Sequence, residues 1–303
     1  MDFEIVAEGL RFPEGPIWME DGSVIVVEIE AGRITRVKPN GEKQVIATTG
    51  GGPNGAALGP DGKIYVCNNG GFAWTQQDGL LFPGHQPLDY SGGRIEVVDI
   101  DSGKVERLYH ECDGIPLRGP NDIVFDADGG FYFTDCGKTR DHDVDVGGVF
   151  YGHIDGRPAR AVARDLMTAN GCGLSPDGAT LYVALTTQRL LLGFDLEEPG
   201  KAAPSPLMPG RVVASFPGRQ WLDSLAVTAD GQVCVATIIE GHGIASVDPT
   251  TGVVTDMPFP DILTTNICFG GADMQDAWVT LSASGRLAKL RWDRPGLRLA
   301  NYR

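Results

Sequence analysis

The sequence has few residues of the types that build soft-metal and redox sites. It contains five histidines and six cysteines among 303 residues, and no two cysteines stand in a Cys-x-x-Cys pair. No cluster of histidine and cysteine is present that would favour a structural zinc site. We therefore expect free, buried thiols in a reducing compartment, which predicts a cytoplasmic protein; disulfides are the alternative.

Long apolar runs and basic segments are also missing. No apolar run approaches the length that spans a membrane, and the first residues lack the basic and apolar stretches of a secretory signal. The 25 basic and 40 acidic residues give a net charge of −15, which disfavours nucleic acids and anionic membranes as partners. The Gly-x-Ser-x-Gly pattern of one large class of serine hydrolases is absent, and no stretch has a long helical period.

What the chain does have is a repeat. Six times, a Glu, Asn or Asp, which we call the lead residue, is followed seven positions later by an aspartate. In the first five repeats a glycine comes next, and Asp-Gly is typical of tight β-hairpin turns. The six pairs are Glu14 and Asp21, Asn54 and Asp61, Asn121 and Asp128, Asn170 and Asp177, Asp223 and Asp230, and Asn266 and Asp273.

The spacing of these repeats predicts the fold. Successive lead residues are 40, 67, 49, 53 and 43 positions apart, and self-similarity at about 40–50 residues is typical of propellers and solenoids. The repeats contain short runs of branched and aromatic residues bounded by turns, which indicate strands. They predict one all-β domain over residues 1–303, a six-bladed β-propeller with four antiparallel strands per blade. We expect the N-terminal strand at Phe3–Gly9 to close the last blade, with Leu297–Tyr302 as the competing choice.

The lead residues are the first candidates for a functional site. In a propeller the first strand of each blade lines the central channel, so these two carboxylates and four amides should form a ring at one mouth. Two like charges on a narrow axis repel unless one is protonated or a cation lies between them, and carboxylate and amide oxygens are ligands of hard divalent ions. We therefore expect Glu14 and Asp223 to share a cation, first of all Ca²⁺. The alternative is that lead residues cap strand ends, which explains Asn54 and Asn266 equally well.

Three long connections should lie on the same face as the ring. They are residues 69–92, 110–120 and 136–146. Long loops in compact domains are usually lids or binding loops, and the longest one is rich in aromatic residues. We expect Phe72, Trp74 and His85 to contact a substrate in an apolar pocket, although a flap packed on its own aromatics is the alternative. Arg118 could hold a substrate hydroxyl or carboxylate, or form a surface salt bridge.

Four segments of the chain are distinctive. They are Phe12-Pro-Glu-Gly-Pro-Ile-Trp18, Gly119-Pro-Asn-Asp122, Ala169-Asn-Gly-Cys-Gly-Leu-Ser-Pro-Asp177 and Leu222-Asp-Ser-Leu-Ala226. With these segments the chain resembles the gluconolactonase/regucalcin (senescence marker protein) family over most of its length. The resemblance implies a six-bladed propeller with one catalytic divalent metal ion that hydrolyses sugar lactones or related esters.

The resemblance also implies roles for single residues. It makes Glu14, Asn170 and Asp223 metal ligands, with Asn121 as an additional residue at the metal and the substrate. Arg118 stands three positions before Asn121, whereas the substrate-binding arginine of regucalcin-like members stands two positions before. The expected ion is Ca²⁺, with Mg²⁺, Mn²⁺, Zn²⁺ or Fe²⁺ as alternatives, and the expected partner is a small-molecule lactone or ester.

Three functional hypotheses follow. The first is a metal-dependent lactonase in which the ion polarises the lactone carbonyl and Asp223 is the general base, with Glu14 as the alternative base. The second is a non-catalytic propeller that binds a ligand or a protein and uses calcium as a structural ion. The third is another metal-assisted reaction, such as phosphotriester hydrolysis or sugar dehydration, because a fold alone does not name a reaction.

Overall fold

The structure is a computed structural model that describes residues 2–205 and 209–302. Over these residues the chain forms strands, turns and loops and no helix. Most strands belong to six antiparallel blades. The innermost strand of each blade contacts the innermost strands of both neighbouring blades, and the first and sixth blades also meet in this way. The predicted six-bladed β-propeller is confirmed.

Each blade begins with its innermost strand and runs outward. The innermost strands are Pro13–Trp18, Pro53–Leu58, Pro120–Phe125, Ala169–Leu174, Gln220–Val227 and Thr264–Gly270. The second strands are Val24–Glu28, Ile64–Asn68, Gly130–Asp135, Thr180–Leu185, Val233–Ile239 and Asp276–Leu281. The third strands are Arg33–Val37, Arg94–Val98, Gly147–His153, Leu190–Glu198, Gly243–Val247 and Arg286–Arg291. The outermost strands are Lys43–Thr48, Val105–Tyr109, Arg160–Leu166, Arg211–Ser215, Val254–Pro258 and, in the sixth blade, Glu4–Ala7.

The remaining strands are short and lie in the connections. They are Trp74–Gln77, Leu80–Pro83, Glu111–Cys112, Ile115–Pro116 and Lys201–Ala202. The first four form two small hairpins, and the fifth pairs with the third strand of the fourth blade. The long connections predicted from the sequence are therefore partly ordered as β-structure.

The N-terminal strand closes the ring, as predicted. Glu4–Ala7 pairs antiparallel with Arg286–Arg291, so one blade is built from both ends of the chain. The competing choice, residues 297–302, is not part of this blade. The backbone N–H of Leu297 donates to the carbonyl of Val227 in the fifth blade. The tail lines a cavity at the lower end of the channel, which we call the lower cavity.

The repeat aspartates mark hairpin turns at the lower face. The glycine that follows has a positive φ in all five cases, from 70° at Gly178 to 91° at Gly231. In the sixth turn Met274 takes this place with a φ of 59°, which residues with a Cβ adopt rarely. Met274 is buried among apolar side chains of the sixth blade, and this packing holds it in the left-handed conformation.

The hydrophobic core is divided among clusters between neighbouring blades. Between the second and third blades, for example, Tyr65 packs edge-on against Phe125 with 5.1 Å between ring centroids. All six cysteines are unpaired, as predicted, and Cys136 is the one that is only half-buried. The described part of the chain has no helix that is long and apolar enough to cross a membrane.

Ala7→Asp should destabilise the protein, because Ala7 is buried against Trp278 and Leu287 where the ring closes. An unpaired carboxylate there should lower the free energy of unfolding in urea by at least about 2 kcal/mol. Glu4→Ala, at an exposed position of the same strand, is the matched control and should change it by less than about 0.5 kcal/mol. Equal stability of the two variants would contradict closure by this strand.

Candidate metal centre

The lead residues stand at irregularities of the innermost strands. In every blade the pairing of the first and second strands shifts register beside the lead residue, for example between Glu14 and Ile17 and between Leu222 and Leu225. Such β-bulges break the regular alternation of side chains and are frequent next to functional sites. They explain how a lead side chain can line the mouth of the channel while the rest of its strand packs between blades.

Glycines next to two lead residues allow the innermost strands to approach closely. A Cβ at Gly55 would lie 2.4 Å from the carbonyl oxygen of Asn121, and one at Gly171 would lie 2.6 Å from that of Asp223. Both distances are far below a normal contact, so any larger residue would push these strands apart. The narrow ring of lead residues therefore depends on glycine at these positions.

Five of the six lead residues line one cavity of about 270 Å³ at the upper mouth of the channel. They are Glu14, Asn54, Asn121, Asn170 and Asp223. The sixth, Asn266, does not line it and instead donates a hydrogen bond from Nδ2 to Glu14 Oε2 at 2.7 Å. The structure thus brings together the four residues that we expected to bind a metal ion, and it makes Asn266 a support for one of them.

Three buried oxygen atoms in this cavity have no hydrogen-bond partner among the described residues. They are Glu14 Oε1, Asn121 Oδ1 and Asn170 Oδ1. Neighbouring groups fix two of these side chains: Asn266 bonds the other oxygen of Glu14, and the Asn170 amide donates from Nδ2 to Thr186 Oγ1 at 3.0 Å. Because an unpaired buried acceptor is costly, three of them in one cavity are the arrangement expected of ligands to a cation.

The two carboxylates of the cavity are like charges, of which Glu14 is buried and Asp223 is half-buried. Burial raises the pKa of Glu14 above its ordinary value, although the hydrogen bond from Asn266 opposes this. Burial, followed by the negative charge of Glu14, raises the pKa of Asp223 well above its ordinary value. At neutral pH this pair therefore favours either a bound proton or a nearby cation.

The donor set fits a hard divalent ion. Within residues 2–205 and 209–302, no three His, Cys, Asp or Glu side chains form a metal-binding group. The unpaired amide oxygens of Asn121 and Asn170 are the further side-chain ligands that the cavity offers beside Glu14 and Asp223. Carboxylate and amide oxygens suit Ca²⁺, whereas structural zinc sites use thiolate and imidazole.

Asp122 is a buried carboxylate that our sequence analysis missed. It lines the lower cavity, where its two oxygens accept hydrogen bonds from the backbone N–H groups of Ile123 and Cys172 at 2.9 and 3.1 Å. Burial and the charge of Glu14 raise its pKa to about 7. Since both carboxylate oxygens already accept hydrogen bonds, we do not count Asp122 among the candidate metal ligands. The only sign of it in the sequence was its position after Asn121 in a distinctive segment.

Residues 69–92, which we call the roof, cover the upper cavity. Their hairpin, Trp74–Gln77 and Leu80–Pro83, starts from the second blade and reaches the sixth. There the N–H of Leu81 donates to the carbonyl of Ala283 at 2.9 Å. The roof therefore bridges the second and sixth blades and supplies part of the cavity wall.

The residues expected to contact a substrate do not all reach the cavity. Phe72 and Asn121 line it. Trp74 is not among the lining residues and packs against Phe12 and Phe72, with 5.1 and 6.1 Å between ring centroids. Trp74 is therefore part of the packing that holds the roof in place.

His85 and Arg118 also lie outside the set of lining residues. The His85 side chain is 55% exposed and faces Asp141 with 3.3 Å between Nδ1 and Oδ1. Arg118 is exposed, and its backbone N–H donates to Asp135 Oδ2 at 2.7 Å. In this structure neither side chain meets the lead residues.

Lys138 is a second residue of the cavity that our sequence analysis missed. It is 2% exposed and lines the cavity wall. Its Nζ donates to the carbonyl of Gly71 at 2.6 Å and to Asn69 Oδ1 at 3.1 Å. Burial lowers the pKa of this ammonium group to about 7. A single lysine in a loop has no periodicity or spacing that would have identified it.

The fold and the cavity together define a six-bladed β-propeller with a candidate divalent-metal centre at one mouth of its channel. Comparison with models of protein families matches residues 12–283 to the SMP-30/gluconolactonase/LRE-like region. The chain belongs to this family, and the resemblance noted in the sequence is confirmed.

Two relatives and one solved structure show the range of the similarity. The chain is 29% identical to a gluconolactonase of Zymomonas mobilis over 202 residues, which are 60% of this chain and 51% of that protein. It is 28% identical to the lactonase drp35 of Staphylococcus aureus over 244 residues, 79% of this chain and 67% of that protein. The chain thus spans about half of the first relative and two thirds of the second. Regucalcin of Agrobacterium tumefaciens, described as a calcium-binding protein, shares the fold with a TM-score of 0.74 at 18% identity, over 98% of both chains.

The buried carboxylates predict how the stability of the metal-free protein depends on pH. Folding raises the pKa of Glu14 and of Asp223, so their protonated forms stabilise the folded state fully below about pH 4. This contribution is lost as the pH rises through the raised values. In excess chelator, Asp223→Asn should therefore have a higher free energy of unfolding at pH 8 than the wild type and a flatter pH profile.

With saturating Ca²⁺ at pH 8, Asp223→Asn should instead be less stable than the wild type, because it has lost a charged ligand. Asp128→Asn, which removes an exposed carboxylate at a lower-face turn, is the matched control and should follow the wild type in both conditions. A metal-free Asp223→Asn protein that is less stable than the wild type at pH 8 would refute the repulsion between the buried pair.

Proposed function

We propose that this protein is a metal-dependent lactonase, an enzyme that hydrolyses a cyclic ester. The observation that carries the proposal is the set of three unpaired, buried oxygens in the cavity that Asp223 also lines. The names of two relatives, a gluconolactonase and a lactonase, agree with it.

Glu14, Asn170 and Asp223 would hold the ion, and Asn121 would complete the set. Their oxygens favour Ca²⁺, and other hard divalent ions are the alternatives. When bound, such an ion polarises an ester carbonyl and lowers the pKa of a water molecule. The unpaired amide oxygens of Asn121 and Asn170 are suitable ligand atoms for this ion because they add no further negative charge.

Glu14 and Asp223 would have different roles. Glu14 would bind the ion, and Asp223 would both bind the ion and transfer a proton. Glu14 Oε2 accepts hydrogen bonds from the N–H of Gly15 at 2.6 Å and from Asn266 at 2.7 Å, so this carboxylate is fixed in one orientation. Asp223 is the proposed general base. A carboxylate oxygen of Asp223 would accept a proton from the attacking water and return it to the ring oxygen as the bond between that oxygen and the acyl carbon breaks.

The walls of the cavity would exclude water and position the ring of the substrate. Ile29, Phe72, Trp221 and Leu263 give it an apolar lining. A volume of about 270 Å³ suits a small lactone. Removal of bulk water strengthens each electrostatic interaction with the developing oxyanion.

Asp223→Asn should reduce kcat/KM on a panel of γ- and δ-lactones by about 10²–10³-fold, because it removes both a ligand and the base. The assay supplies Ca²⁺, Mg²⁺ or Mn²⁺ in excess, so that weaker metal affinity alone does not explain the loss. Asp128→Asn is the matched control and should retain wild-type rates. Wild-type turnover by Asp223→Asn would remove this residue from the mechanism.

Chelation separates a lactonase from a non-catalytic propeller with a structural calcium ion. We expect excess EDTA to abolish lactone hydrolysis while the melting temperature falls by only a few degrees, because the blades are held together by apolar packing and backbone pairing. Added Ca²⁺ should restore the activity. A large fall in melting temperature, with no hydrolysis of any lactone or ester before chelation, would favour the structural role.

A further inference from the structure

The cavity contains a donor group that the proposed mechanism does not use. Besides the three unpaired acceptors, one unpaired donor among the described residues lines its wall, the amide nitrogen Nδ2 of Asn69. Asn69 is 2% exposed. Because a buried N–H without an acceptor is costly, this group calls for an oxygen atom of a ligand.

The orientation of the Asn69 amide is fixed by its neighbours. Its Oδ1 accepts hydrogen bonds from the N–H of Gly71 at 2.8 Å and from Lys138 Nζ at 3.1 Å. Rotation of the amide by 180° would place NH₂ against two donors and lose both bonds. The nitrogen therefore has to remain the unpaired atom.

Lys138 contributes a second nitrogen donor next to this amide, and its ammonium form has no paired carboxylate among the described residues. Both of its hydrogen-bond acceptors, Gly71 O and Asn69 Oδ1, are uncharged, and Nζ lies 3.8 Å from the ring centroid of Phe72. An ammonium group has three donor protons, and the third has no oxygen or nitrogen acceptor among residues 2–205 and 209–302. A buried charge without a counter-ion is unfavourable.

The acidic groups nearest to Lys138 are engaged elsewhere. Asp135 and Asp145 act on it through space. Asp135 accepts hydrogen bonds from three backbone N–H groups, those of Arg118, Gly119 and Gly137. Both oxygens of Asp145 pair with the Arg140 guanidinium at 2.8 Å. Among the described residues, no carboxylate accepts a hydrogen bond from Lys138.

We propose that Lys138 and Asn69 form a carboxylate-binding subsite, and that the substrate of this protein is a lactone that carries a free carboxylate. A carboxylate can accept a charge-assisted hydrogen bond from Nζ and a second bond from Nδ2, and it supplies the missing negative charge. The lead residues would receive the ester group of the same molecule. This inference rests on the proposed lactonase function for the reaction, and on Lys138 and Asn69 alone for the subsite.

The test compares two lactones of nearly equal size and shape, the anionic 5-oxotetrahydrofuran-2-carboxylate and its neutral carboxamide. With Ca²⁺-loaded wild-type protein, kcat/KM should be about 10- to 100-fold higher for the carboxylate. Lys138→Met should lower this ratio to about one, and Asn69→Leu should lower it severalfold. Lys289→Met is the matched control: Lys289 also lies near an aromatic ring, 5.1 Å from that of Trp278, but pairs with Asp276 outside the cavity. Its removal should leave the ratio unchanged.

A binding measurement makes the test independent of turnover. The non-hydrolysable analogue 3-oxocyclopentane-1-carboxylate and its carboxamide are titrated calorimetrically into Ca²⁺-loaded protein. If no lactone is hydrolysed but the carboxylate analogue binds selectively and Lys138→Met abolishes the selectivity, the lactonase proposal fails and the subsite stands. Equal binding of the two analogues by the wild type, or an equal loss of both in Lys138→Met, would overturn the subsite and leave Lys138 as a support of the roof.

Discussion

The candidate metal centre depends on two carboxylates, the buried Glu14 and the half-buried Asp223, that line one cavity on the axis of a propeller. Burial raises the pKa of both groups, and the negative charge of Glu14 raises that of Asp223 further, so the charged forms need a cation nearby. The surrounding structure keeps the groups together: bulges turn the lead residues toward the channel, and Gly55 and Gly171 let neighbouring strands approach. A hydrogen bond from Asn266 then fixes Glu14. A divalent ion would balance this charge and offset the cost of assembling it.

The cavity contains both unpaired hydrogen-bond acceptors and unpaired hydrogen-bond donors, and this combination suggests which ligand it selects. Glu14, Asn121 and Asn170 supply three unpaired acceptor oxygens. Asn69 and Lys138, which also line the cavity, supply nitrogen donors. A ligand that satisfied both would carry an electrophilic carbonyl and, at some distance from it, an anion. The apolar residues that line the cavity would bind the carbon skeleton.

The fold could be predicted because it repeats. The Asp-Gly turns and the interval between lead residues identify six equivalent units, and propeller geometry places equivalent residues in a ring. Even Met274, which breaks the Asp-Gly pattern, occupies the same turn conformation. Asp122 and Lys138 were missed because they carry no such equivalence. The contacts of Lys138 are made with Asn69 and Gly71, which are 69 and 67 positions away. Nor does the sequence pattern show that Arg118 and His85 lie outside the lining of the cavity, because side-chain positions in long loops are set by contacts of this kind.

A crystal structure of the Ca²⁺-loaded protein tests the central claim most directly. It should show one ion within roughly 2.3–2.6 Å of Glu14 Oε1, Asn170 Oδ1 and a carboxylate oxygen of Asp223. An ion bound elsewhere on the protein, or carboxyl groups of Glu14 and Asp223 more than about 8 Å apart and so unable to share one ion, would contradict the account.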